Sequence, residues 1–141
     1  MLRLGFLPSD FNPMLLMLGE VEDLRALGGV LRRFAREGGR VVLDELAFCA
    51  AWRTRVVLTD AGTEAGEPLG LHPVDRTICF VWRVDAMRAA AFAELVESLA
   101  APGRIAGSEI LTCGMEEEIP VKVSRGEYTD DFLNLHAAPP A

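Results

Sequence analysis

Apolar positions in this chain come in two patterns. Some form nearly unbroken runs, as in Met14-Leu15-Leu16-Met17-Leu18 and Ile78-Cys79-Phe80-Val81-Trp82-Arg83-Val84. Such runs, rich in β-branched and aromatic residues, predict buried strands. Others recur at spacings of three and four. Leu24, Leu27, Val30, Leu31 and Phe34 share one face of a helix over 21–36. Met87, Ala91, Phe92, Leu95, Val96 and Leu99 do the same over 86–100. Each helix follows an apolar run across a single acidic residue, Glu20 or Asp85. Asp85 is a natural N-cap. Acidic residues open the first helix, Arg32, Arg33 and Arg36 close it, and Gly38-Gly39 ends it. Gly28-Gly29 inside it costs roughly 1 kcal/mol per glycine relative to alanine, which close packing on a sheet would explain.

Further strands are expected at Leu2 to Leu7, Arg40 to Leu46, Arg53 to Thr59, Glu109 to Cys113 and Ile119 to Ser124. Ala47 to Trp52 reads either way, as loop or strand extension. Pro120 suits a sheet edge or a strand entry. Residues 61–76 read as a long central loop with a short extended piece at Pro68 to Leu71, and 133–141 as a tail.

A shift of the first half by 65 residues lays one helix on the other. Leu27, Val30, Leu31 and Phe34 fall on Phe92, Leu95, Val96 and Leu99, and Glu20 falls on Asp85. The expected fold is therefore α+β, one domain over 1–141. It is built from two βαββ pseudo-repeats at about 14–60 and 77–128. Side by side they make a mainly antiparallel sheet of about six strands, with both helices on one face. The uncovered face would carry Trp82, Arg55, Arg83 and Lys122, which alternate with core positions.

Composition narrows the function classes. With 141 residues the chain can bury one core. A net charge of −7 disfavours nucleic acid and allows steering toward a basic protein. Thirteen of the fourteen basic residues are arginine, and Lys122 is the one lysine. No apolar run is long enough to span a bilayer, so no membrane partner is expected. Three cysteines with no close pair suggest reduced thiols and a cytoplasmic protein.

Candidate chemistry is sparse. Cys49, Cys79, Cys113, His72 and His136 show no metal or nucleophile spacing. Gly19 before the first helix is flanked by Glu20, Glu22 and Asp23, which repel phosphate. No catalytic residue, metal or cofactor is expected. The carboxylates Glu116, Glu117, Glu118, Glu127, Asp130 and Asp131 read as solvated surface or as one acidic rim for a basic partner. Arg125 and Tyr128, in Ser124-Arg125-Gly126-Glu127-Tyr128, and Trp82 are interface candidates if exposed and core residues if buried.

Two phrases carry a family resemblance. One is Gly19-Glu20 with Leu24, Leu27 and Leu31, then Val42-Leu43-Asp44; the other is Val121-Lys122-Val123-Ser124-Arg125-Gly126-Glu127-Tyr128. Both resemble small cytoplasmic immunity proteins of bacterial polymorphic-toxin systems. That resemblance implies an acidic α+β protein that binds and blocks a toxin, often a basic nuclease.

The expected function is a non-enzymatic protein-binding module, monomer or homodimer. Alternatives are a small-ligand or enzymatic domain, with a pocket between sheet and helices or at a dimer interface, and an assembly subunit whose Leu2 to Leu18 adds a strand to a neighbour.

Overall fold

A computed structural model describes residues 1–8, 12–74, 78–129, 131 and 133. The elements run β1 (Leu2–Leu7), β2 (Met14–Leu18), α1 (Val21–Glu37), β3 (Arg40–Val42), a 3-10 turn (Leu43–Glu45), β4 (Cys49–Trp52), β5 (Arg55–Thr59), β6 (Gly70–Pro73), β7 (Cys79–Arg83), α2 (Ala86–Leu99), β8 (Gly107–Leu111) and β9 (Val121–Arg125). The protein is α+β, as expected. The expected strand over 40–46 stops at Val42 because the Asp44 carboxylate takes the Val56 N–H at 3.0 Å in place of a ladder bond. The extended piece in the central loop is β6, Gly70–Pro73.

The single six-stranded antiparallel sheet does not form. Two mixed sheets do: one of five strands in the order β4-β1-β2-β9-β8, one of four in the order β3-β5-β7-β6. Two βαββ units side by side do not form either. The first strand of each expected unit leaves its own half: β2 pairs in parallel with β9, and β7 pairs in parallel with β5. Strands this apolar bury most area between two neighbours, and β2, β5, β7 and β9 are all interior. Interior placement also makes Pro120 a strand-entry residue, its carbonyl accepting from Leu15 N at 3.0 Å.

One core joins the inner faces of both sheets to both helices. It contains Leu2, Leu4, Leu15, Met17, Val121 and Val123 from one sheet, Val56, Leu58, Phe80 and Trp82 from the other, and Leu27, Leu31, Phe92 and Val96 from the helices. Phe6 and Phe80 link the sheets, ring centroids 4.8 Å apart. Gly28 has its reason in helix–helix contact, not in packing on a sheet. A Cβ there would sit 2.8 Å from Glu97 of α2, and Glu97 is held by Arg32 through Nε at 2.8 and 3.0 Å. Asp85 caps α2, its Oδ1 accepting from Arg88 N at 2.9 Å. Met87, expected on the buried face, is 74% exposed. No helix among the described residues is long and apolar enough to cross a membrane.

Candidate functional site

The expected acidic rim separates into two places. Turn 114–118 precedes β9 and residues 127–131 follow it, so they lie at opposite ends of that strand, roughly 15 Å apart at a strand's rise per residue. Glu127 and Asp131 are exposed at the far end; Asp130 lies outside the described residues.

Turn 114–118 instead meets the central loop. Arg83, at the end of β7, donates through Nε to Ala61 O at 2.7 Å and through Nη1 to Pro68 O at 3.0 Å. It also pairs with Glu67 at 2.7 Å. These bonds fold residues 61–68 back over the end of the four-stranded sheet and leave the Arg83 side chain only 13% exposed. Opposite Arg83 in register is Gly70. Its φ of +98° and the Glu118 side chain against it leave no room for a Cβ. Loop and turn therefore converge at Gly70. Asp60, Glu64, Glu67, Glu116 and Glu117 are exposed around that point. Five carboxylates face solvent while Arg83 is covered, so this end is strongly acidic. Arg40 is exposed in the cross-strand row with Thr59, Arg83 and Gly70.

Three expected interface residues prove structural. Glu118 accepts from Thr112 Oγ1 at 2.7 Å, Cys113 N at 2.7 Å and Met115 N at 3.1 Å, and so builds the turn that displays Glu116 and Glu117. Arg125 donates to the carbonyls of Leu99, at 2.9 Å, and Arg104, tying down the C-terminus of α2. Trp82 does not reach an open face. It is fully buried and stacked on Phe92 with ring centroids 5.8 Å apart, because its register puts it beside Leu58 and Leu71. Tyr128 is half-buried; its hydroxyl accepts from Lys122 Nζ at 2.6 Å, and the ammonium lies 4.9 Å from the ring centroid.

Sequence reasoning missed the outer face of the four-stranded sheet. Core residues of β5 and β7 alternate with Arg55, Val57, Thr59 and with Cys79, Val81, Arg83. The register aligns Val42, Val57, Val81 and His72 in one row across all four strands. Val74, 44% exposed, lies beside Cys79 on the same side, its N–H reaching Cys79 O at 2.9 Å. Loop 61–68 walls this apolar floor at the Arg83 end. The signal was legible: Val56-Val57-Leu58 and Phe80-Val81-Trp82 are apolar on both faces.

Other chemistry stays in the background. Burial raises the Cys49 thiol to about 11 and the Cys113 thiol to about 12. Cys79 is half-exposed and lines a shallow basin of about 420 Å³ with Asp44, Arg53, Arg55 and Ile78. His72 Nε2 is 2.8 Å from Leu69 O; His136 lies outside the described residues. A cavity of about 270 Å³ between α1 and β3 is lined by Val30, Phe34, Val41 and Leu46 with Arg33 and Arg40 at its mouth. Among the described residues no group of three His, Cys, Asp or Glu could hold a metal ion. The strand-adding role of Leu2 to Leu18 is overturned, since β1 and β2 are hydrogen-bonded to neighbours on both sides. Compared with protein families, curated proteins and solved structures, the chain has no significant match.

Proposed function

We propose that this chain is a non-enzymatic, cytoplasmic protein-binding module whose partner is a basic protein. The observation that carries the reading is the convergence of loop 60–67 and turn 114–118 on Gly70, which masses five exposed carboxylates at one end of the four-stranded sheet. Exposed charge of one sign steers an oppositely charged partner and fixes its orientation. In the immunity-type version that partner is a basic toxin, and the acidic end blocks its cationic substrate site. A reducing compartment fits three cysteines that form no disulfide.

The finer reading of the fold is that the chain is a duplication with exchanged strands. Its support is the register. A shift of 65 residues, the separation of Arg32 and Glu97 across the helix pair, carries Leu15↔Val121 onto Phe80↔Val56.

The functional test is charge reversal by location. Glu64, Glu116 and Glu117 are replaced together by lysine, with Glu127→Lys and Asp131→Lys as the control at the other end. Glu67 and Glu118 are left intact because they hold the loop through Arg83 and build the turn. Basic proteins from the native host are captured at low and high salt and identified by mass spectrometry. Salt-sensitive capture lost in the triple variant and kept in the control supports the reading. Equal capture by both variants refutes it.

A further inference from the structure

At the centre of the outward side of β5 and β7 stand Val57 and Val81, between Arg55 and Cys79 on one side and Thr59 and Arg83 on the other, where a solvated sheet face carries polar residues. Val42, Val57, Val81 and Val74 form one patch with Cys79 and His72, and none of the six is buried. Apolar side chains grouped on a sheet face offer area to a partner. The five-stranded sheet shows how the chain treats such a face. There Leu7, Leu16 and Leu18, also apolar and outward, are covered by Leu133 with Tyr128 beside it. No described segment covers the valine face.

We propose that an apolar segment of the basic partner lies on this valine face, with its cations directed at loop 60–67. The inference rests on the basic-partner reading and adds the chemistry of the contact. Two observations select this occupant. First, the floor is continuous with the acidic wall, because Arg83 of the outer face is the residue that ties down Ala61, Glu67 and Pro68. An occupant of the floor therefore ends against Glu64 and Glu67. Second, a second copy of the chain brings its own acidic wall and its own net charge of −7 to the contact, and like charges brought together cost affinity. A desolvated apolar centre with a charged rim is the ordinary anatomy of a specific interface.

The test uses synthetic peptides and the full chain. One decapeptide alternates Val and Thr and carries two lysines at one end; its counterpart carries two glutamates. Binding is followed by fluorescence anisotropy of labelled peptide, and fold is checked by thermal melting. The variant is Val57→Thr with Val81→Thr, which keeps strand propensity and shape while removing apolar contact. The lysine peptide is expected to bind at least about tenfold tighter than the glutamate peptide, and the double variant to weaken it about tenfold, a change of about 1.4 kcal/mol. A lysine peptide that prefers the acidic end yet ignores the double variant overturns this inference and leaves the basic-partner reading standing. Equal binding of both peptides overturns both. Sedimentation showing a dimer that the double variant dissociates makes the occupant a second copy and also overturns the inference.

Discussion

The two sheets treat their outer faces differently. In the five-stranded sheet the centre of the face opposite the core is closed: Leu16 is fully buried and Leu18 is 2% exposed, under Leu133 and Tyr128, while Trp52 and Ile110 stay exposed at its two edges. In the four-stranded sheet the matching positions, Val57 and Val81, stay half-exposed. Both sheets use apolar residues on both faces, so apolar patterning alone does not tell a stabilising face from a binding one. The difference is whether the described residues supply a cover. Where they do, the side chains beneath contribute to folding; where they do not, the apolar area of the face is still available when another molecule arrives.

Truncations put the largest numbers on that contrast. Leu16→Ala removes a fully buried side chain and should cost about 2–4 kcal/mol of stability. Val81→Thr on the bare face should cost less than about 1 kcal/mol. Denaturant midpoints measure both, and equal losses would break the comparison. Next in size is Glu118→Ala, which strips three donors of their acceptor and should cost about 2 kcal/mol. Glu117→Gly, by contrast, relieves a side chain held at φ +62° and should be neutral or stabilising by less than about 1 kcal/mol. A Glu118 variant as stable as wild type would return that residue to the solvated surface.

Thiol reactivity sharpens the contrast. Cys79, the least buried of the three thiols, should alkylate first with iodoacetamide, and a bound partner should protect it. Cys49 and Cys113 should react slowly at pH 8, since burial favours the neutral thiol and holds them at about 11 and about 12. A thiol raised above its unfolded value adds stability that is complete below about pH 9 and fades as pH climbs toward the folded value. Mass spectrometry of partial alkylation reads the order, and faster labelling of Cys113 than Cys79 would contradict the burial pattern. The smallest effect belongs to the helix pair. Glu97 is lowered by its hydrogen bonds from Arg32, so its contribution is present above the ordinary carboxylate range and lost as pH falls through the folded value. Both side chains are over a third exposed, so the loss should be slight and should shrink further in salt. Urea melts from pH 7 to pH 3, with Glu97→Gln as reference, check it.

Local patterning made both helices legible, with their acidic starts and the Gly38 stop, because periodicity and capping act within a few residues. Strand partners were not legible. Pairing of Leu15 with Val121 spans most of the chain, and nothing in either strand distinguishes that partner from a closer one. The site was half legible. Glu116 and Glu117 are exposed and acidic, as their composition implied. Glu64 and Glu67 are brought to the same end of the sheet from the central loop through the bonds of Arg83, a long-range contact that spacing does not encode. Arg125 and Trp82, which read as interface residues if exposed and as core if buried, take the second role, because an arginine reaching helix carbonyls and a tryptophan facing a core cannot be told in sequence from interface residues.

The most direct test of the central claim is a titration of isotope-labelled protein with the lysine-ended peptide, followed by amide chemical shifts. The account predicts movement at Val57, Val81, Glu64 and Glu67, reduced by salt, with Leu16, Leu18 and Glu127 unchanged. Shifts centred on Leu16 and Leu18, or none at all at the valine row and the acidic loop, would contradict it.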